Sequence, residues 1–393
     1  MGLAVDVRIP DRETYETVAG RVRSLIPSAT MQVLDWNIQA AIDAESDTMN
    51  SALTKRQTGQ YDPKTWFTSY HRYSEIAGFF TSLASSYPTL VSLNTSIGKS
   101  YEGRDLFMAR IGTRTNPNVK QVYIQGLIHA REWVAGSTVQ YLCYKLASAY
   151  ANASSPDHAW AVKTFNTTEF YVVPVVNPDG YEYTWTSDRL WRKNRRRAVS
   201  SSTAVGVDLN RNYPAGWGTD PNGASTTPSD EDYQGPSPLS EPETKVVTYN
   251  FLSTLRSAVL AIDFHSYSQL ILRSPGYNYV VPSDQAAKFK AAGDAAAAAI
   301  QKQSGKVYTS QPGTALYPAT GSADDWAYSA DTDAKVTQDR QGKGRVFSYT
   351  IELRPSSSTS SGFVLPPAKI VPAGEEIWAA VKVMVDYVMA NII

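Results

Sequence analysis

Cysteine is almost absent: Cys143 is the single one in 393 residues, so no intrachain disulfide can form. Its apolar neighbours Tyr141, Leu142, Tyr144 and Leu146 predict a buried thiol on a helix, where cysteine behaves as a small hydrophobe rather than a reactive group. An excess of charge of one sign is missing too. Lys plus Arg and Asp plus Glu both total 37, which removes the basic surplus that draws a protein to nucleic acid or to an anionic membrane and confines charge-based recognition to local clusters. No stretch reaches the ~18 uninterrupted apolar residues of a membrane-spanning helix, so a soluble chain without a membrane partner is expected. Residues 1–10 lack the basic start and apolar core of a signal peptide. Asn94, Asn152 and Asn166 nevertheless each open an Asn-X-Ser/Thr triplet, the glycan-acceptor pattern that matters in a secreted protein.

What is present suits one large domain and a small one. Residues 4–9 alternate like a strand, and residues 12–25 and 37–54 have helical spacing. The polar run at 55–60 reads as an exposed linker in which Lys55-Arg56 would suit a processing protease. From residue 61 onward strands and helices alternate as in an α/β domain. Strands are expected over 119–128, 170–176, 258–264 and 346–353, and helices over 133–150, 284–303 and from 373 to the end. Ser240 with Glu243 has the spacing of a capping box that opens a helix running to about residue 256. The Pro/Gly/Ser-rich stretch at 213–239 is too long for a simple connection and reads as a functional wall. No internal repeat is visible.

Histidine is also scarce, and its placement is therefore informative. Of His71, His129, His158 and His265, His129 ends the strand QGLI and is followed three residues later by Glu132, where a helix opens. His265 ends the strand LAIDF. The C-terminal ends of strands are where open α/β sheets place their sites, and two imidazoles with one carboxylate leave a fourth tetrahedral position open, the pattern of a catalytic zinc. An H-x-x-E match by itself is weak.

Six segments together are specific. HAREW (129–133), LWRKNR (190–195), VGVDLNRN (205–212), HSYSQLIL (265–272), LYPATGSADDWAY (316–328) and IELR (351–354) resemble, in the same order, the signature segments of the pancreatic-type A/B zinc carboxypeptidases. The resemblance runs from about residue 61 to the C-terminus and includes the second half of that family's pro-domain. It implies an α/β fold with a mixed central β-sheet flanked by helices, preceded by a partial α+β pro-segment: residues 1–57 as pro-segment and linker, residues 58–393 as catalytic domain. It further implies His129, Glu132 and His265 as ligands of one Zn2+, Glu352 as the general base and Arg192 as the cation that stabilises the oxyanion. Asn210 and Arg211 match the pair that binds the substrate's free carboxylate, Tyr317 the tyrosine that closes over it, and Arg131 the contact one residue further in. Asp208 matches the carboxylate that orients His129. Lys193, Arg195, Arg196 and Arg197 read as a solvated basic stretch.

Asp324, seven residues after Tyr317, stands where an aspartate goes with basic C-terminal residues in this family, so a preference for Lys and Arg ends is expected. Gly276 is often glycine in A-type members, and Asp263 is an additional carboxylate near His265 that neither pancreatic pattern requires, which leaves dual or A-type specificity as the alternative. The pro-segment is shorter than the family's, and weak or absent self-inhibition is expected of it. A monomer that acts on peptide or protein C-termini outside the cell is the resulting expectation. A zinc amidohydrolase would not need Asn210, Arg211 and Tyr317, and a catalytically silent relative would have lost a ligand or the base.

Overall fold

The computed structural model describes residues 9, 12–26, 28–31, 33, 35, 37–53, 61–113, 118–197, 203–277, 283–329, 346–357, 359 and 362–392. The strand expected over 4–9, all but its last residue, and the Lys55-Arg56 linker lie outside them. The strands are β1 (Val91–Lys99), β2 (Asp105–Ile111), β3 (Lys120–Gly126), β4 (Thr168–Val173), β5 (Ala258–Ser268), β6 (Leu270–Arg273), β7 (Thr309–Pro312) and β8 (Phe347–Ser356). The helices are α1 (Arg12–Leu25), α2 (Ile38–Leu53), α3 (Pro63–Trp66), α4 (Tyr73–Ser86), α5 (Trp133–Ala151), α6 (His158–Phe165), α7 (Pro178–Thr186), α8 (Pro242–Thr254), α9 (Ser283–Ser304), α10 (Ala323–Ser329) and α11 (Ile370–Ala390).

One eight-stranded sheet has the order β1-β2-β4-β3-β5-β8-β6-β7. Its centre, β4-β3-β5-β8, is parallel, and antiparallel pairs join β2 to β4 and β6 to β8. Parallel strands covered on both faces are apolar throughout, and β4 is buried at every position. Side chains alternate between the two faces. Val122 and Ile124 therefore enter one core with α4, α5, α9 and α11, while Tyr123 enters the other with Phe251 of α8 and Trp326 of α10. In α11 the residues Ile377, Val381, Met384, Val385 and Val388 recur at helical spacing and are buried where the helix packs on α9 and α5. Cys143 is buried in α5, and burial pushes its thiol pKa up, which leaves it inert.

The order places a switch point between β3 and β5: the chain leaves β3 for β4 on one side, then returns to β5 on the other. Register makes the consequence specific. Gly126 at the end of β3 pairs with Phe264, and His265 pairs with Glu352 of β8. His265 and Glu352, each within its strand, are thereby set side by side next to the end of β3.

Helix α2 is tied to the large unit by a buried ion pair. Glu45 accepts from Arg189 Nε at 2.6 Å and from Nη2 at 3.2 Å, and Arg189 also donates to the carbonyls of Arg131 and Phe363 while lying 3.7 Å above the Trp133 ring. The capping box expected at Ser240 and Glu243 does not form. Helix α8 starts at Pro242 with Glu241 as its N-cap and no side-chain cap, because Glu243 instead accepts the backbone N–H of Tyr101 at 2.9 Å and Asn194 Nδ2 at 3.3 Å. A contact from a distant segment has displaced the local one.

Two predictions follow from these carboxylates. Glu45→Ala strands the Arg189 guanidinium, a change worth roughly 3–5 kcal/mol for a buried pair, so limited proteolysis should cut within α2 faster than in the parent; an unchanged rate removes this pair as the anchor. Burial, with the charges of Asp179 and Glu241 adding to it and the Tyr101 N–H opposing, pushes the Glu243 pKa up to about 7 from its ordinary 4.5. A raised acid pKa costs stability as pH rises, because the unfolded chain loses its proton first. The penalty is absent below about pH 4.5, grows through the interval to pH 7 and is complete above it, at most roughly 3 kcal/mol. Glu243→Gln should therefore raise the melting temperature more at pH 8 than at pH 5, and an equal change at both pH values contradicts the assignment.

Candidate metal centre

His129 leaves β3 through Leu127, whose backbone is left-handed at φ 53°. The turn is accommodated by Gly136 of α5, where a Cβ would stand 2.2 Å from Leu127 Cδ1. Glu132 occupies the N-cap position of α5 without capping it, since both its oxygens are engaged elsewhere. Oε1 lies 2.9 Å from His129 Nδ1, and Oε2 lies 3.0 Å from His265 Nδ1 and accepts the backbone N–H of Ser266 at 3.1 Å. The two Nδ1 atoms are 3.0 Å apart. All three side chains are buried, and their ligand atoms lie within 4.8 Å of one another.

The other nitrogen of each ring faces a carboxylate. His129 Nε2 is 3.1 Å from Asp208 Oδ1, and His265 Nε2 is 3.0 Å from Asp263 Oδ2. The hydrogen bond of Asp208 to His129 Nε2 fixes the ring proton there and turns that Nδ1 lone pair toward the shared point. Two such lone pairs 3.0 Å apart repel unless a cation stands between them. The donor set fits zinc: ligand atoms of a tetrahedral site at ~2.0–2.1 Å stand roughly 3.3 Å apart, so only a few tenths of an ångström of opening are needed. Glu132 is suited to the task. Burial alone would raise its pKa, but the two imidazoles pull it below the usual carboxylate range, and it stays an anionic ligand.

Arg192, Asp208, Asn210 and Glu352 lie next to these ligand side chains. Arg192 is locked by Nε and Nη2 to Asp208 Oδ2 at 3.1 and 2.7 Å, which leaves Nη1 3.3 Å from His129 Nδ1, aimed into the site. Burial opposes the negative charge of Asp208, yet Arg192 and His129 hold its pKa well below the usual range. Glu352 lies beside His265 across the β5–β8 ladder, half-buried at the mouth of the site. Burial and the Glu132 charge push its pKa up to about 8 against the opposing charges of His265 and Arg192. Asn210 accepts the Ala323 N–H at 2.9 Å and brings its Nδ2 to 3.4 Å from His265 Nε2. Arg211 is buried with Nη1 on the Asn210 carbonyl, and its Nε has no protein partner. Tyr317 is 38% exposed, with its ring 5.9 Å from the Arg211 guanidinium carbon. Gly321 permits this approach: its φ is +74°, and a Cβ would stand 2.4 Å from the Arg211 carbonyl oxygen.

A model of the family described as zinc carboxypeptidase matches residues 76–380. The chain belongs to the zinc carboxypeptidase family. Among its relatives, carboxypeptidase B of Astacus astacus is 37% identical over 323 residues, covering 82% of this chain and 98% of that one. A metallocarboxypeptidase A-like protein of Trichophyton verrucosum (strain HKI 0517) is 34% identical over 387 residues, covering 97% and 84%. The crystal structure of carboxypeptidase A from Helicoverpa armigera superposes with a TM-score of 0.80 at 28% identity, covering 96% and 87%. The protein is thus a zinc metallocarboxypeptidase with the expected mixed sheet, and the buried His129-Glu132-His265 group has the spacing to hold one metal ion. Among the described residues no helix of this carboxypeptidase is long and apolar enough to cross a membrane.

Two features were not legible beforehand. Lys193 is not solvated: it is buried, and its Nζ donates to the carbonyls of Pro228 and Asp230 at 2.9 Å each, pinning the wall formed by residues 213–239. Arg195 stacks on Tyr183 and Trp191, and Arg196 pairs with Glu241, so the basic stretch is largely structural. Glu231 of the same wall accepts from Arg131 Nη1 at 3.1 Å, and Arg131 lies over the Phe363 ring at 4.4 Å. Only the length of the wall signalled its involvement. Asp324 is buried and accepts from Ser274 Oγ at 2.7 Å, and Gly276 N donates to both oxygens of Asp325.

Proposed function

We propose that this carboxypeptidase releases single residues from peptide C-termini with a preference for Lys and Arg. The observation that carries the exopeptidase reading is Arg211, a buried guanidinium with an unpartnered Nε whose neighbour Asn210 reaches His265, the suitable clamp for a terminal carboxylate. Asn210 and Tyr317 complete the clamp, with Tyr317 closing over the bound end and Arg131 holding the substrate one residue inward.

When bound, zinc polarises the scissile carbonyl and acidifies water. Glu352 takes the proton from the water oxygen that attacks that carbonyl and delivers it to the departing amine nitrogen, so one carboxylate serves as base and then acid. Arg192 Nη1, held in direction by Asp208, stabilises the charge that collects on the former carbonyl oxygen. Asp208 orients His129 by the proton on Nε2.

The basic preference is supported by Asp324, a buried carboxylate on Ser274 Oγ that can pair with a Lys or Arg side chain of the substrate. Residues 1–57 act as a pro-segment held by the Glu45–Arg189 pair and cleavable near Lys55-Arg56. The chain works as a secreted monomer; the exposure of Asn94, Asn152 and Asn166 is consistent with glycan acceptors.

Glu352→Gln should retain zinc and lose roughly 10²–10⁴-fold in kcat, while a substrate whose C-terminus is an amide should be left uncut by the parent. Retained activity in the variant, or cleavage of the amide, overturns the reading. Hippuryl-Arg should be cleaved in preference to hippuryl-Phe, and Asp324→Ile should reduce kcat/KM for the Arg substrate by about 100-fold or more with little loss on Phe. A parent that prefers Phe ends the basic assignment.

A further inference from the structure

Beside Asp263, which faces His265 Nε2, lies a small, partly open cavity of about 10 Å³, lined among others by Gln125, Tyr213, Asp263, Asp324 and Ser348. That is roughly the space needed for the centre of one water molecule. Asp263 and His265 are two residues apart on β5 and so share a face, and the ladder sets Asp263 beside Gln125 of β3. Tyr123 OH donates to Gln125 Oε1 at 2.9 Å, which turns Gln125 Nε2 toward the chamber. Gln125 Nε2, Tyr213 OH and Ser348 Oγ make no aligned hydrogen bond, Gln125 and Tyr213 lie beside each other, and all three groups can donate. Both Asp263 oxygens likewise lack an aligned hydrogen bond, although Oδ2 approaches His265 Nε2 to 3.0 Å. Asp263 is 3% exposed.

A carboxylate buried with so few partners is costly unless something nearby needs its charge. A group in reach that does is the outer nitrogen of a metal-facing imidazole, 3.0 Å away. We propose that Asp263 is a positioning residue for the zinc, the counterpart on His265 of what Asp208 is on His129. It holds the ring proton on Nε2 and the Nδ1 lone pair on the metal, and the donors of the chamber, with room for a bridging water, keep its charge solvated. The consequence is a metal seat with a carboxylate behind each histidine. This rests on His129, Glu132 and His265 being the ligands, and the experiment separates the two claims.

Zinc dissociation constants are measured by competition with a chromophoric chelator for the parent, Asp263→Asn, His265→Ala and the remote Asp157→Asn. Asp263→Asn keeps the shape and removes the charge. Zinc binding should weaken roughly 10–100-fold, the usual effect of losing an outer carboxylate, and the visible absorption bands of the cobalt(II)-substituted variant should shift as the His265 ring loses its orientation. Asp157→Asn should change neither. If the asparagine chain does not fold, Asp263→Ser is read in the same way. Zinc affinity within twofold of the parent, with unchanged cobalt bands, overturns the inference if His265→Ala loses zinc. If His265→Ala also binds zinc like the parent, the ligand assignment itself falls.

Discussion

The structure depends on two imidazole nitrogens being held 3.0 Å apart in a buried place. Left to themselves they repel, and no pair of side chains at a strand end adopts that distance without compulsion. The compulsion is the register of three parallel strands. Gly126 against Phe264 aligns the end of β3 with that of β5, and His265 against Glu352 aligns β5 with β8. Because the pairing sits inside a sheet whose two faces are both filled, a slip of one residue would exchange every side chain between two differently packed cores, so the distance is protected by the whole core.

Charge is arranged around that pair in layers. Glu132 lies against both rings, Asp208 and Asp263 lie behind them, and Arg192 is fastened to Asp208 so that one guanidinium nitrogen still faces inward. Negative groups outnumber positive ones here, which is unfavourable for a protein interior and favourable for holding a divalent cation. The same imbalance holds the Glu352 proton more tightly than on a free glutamate, through burial and the Glu132 charge. Preorganisation of this kind means that the side chains are already directed before substrate arrives.

Much of this was legible in the sequence, for physical reasons that differ by element. The long, strongly periodic segments were read with the right type: α1 falls on residues 12–25 as expected, and the runs around β3, β5 and β8 are apolar enough to announce buried strands. The short strands β6 and β7, with four residues each, carry too little pattern to stand out, and β1 is half exposed as an edge strand. The metal set was visible because histidine is rare here and two of the four follow apolar strand runs, although β5 continues past His265 to Ser268. Contacts between distant segments were not. Lys193 reads as a surface charge until the carbonyls of Pro228 and Asp230 fold over it, and Glu243 reads as a cap until Tyr101 claims it. Likewise the sequence flagged Asp263 as an extra acid but not its direction toward His265 Nε2.

The central claim, that a single zinc sits where the strand ends meet, is tested most directly by anomalous diffraction at the zinc absorption edge from crystals of the purified protein. The account requires one strong peak per chain, bonded to His129 Nδ1, one Glu132 oxygen and His265 Nδ1. A chain whose peak lies elsewhere, or whose His129 and His265 face each other with no metal between them at full zinc loading, contradicts it.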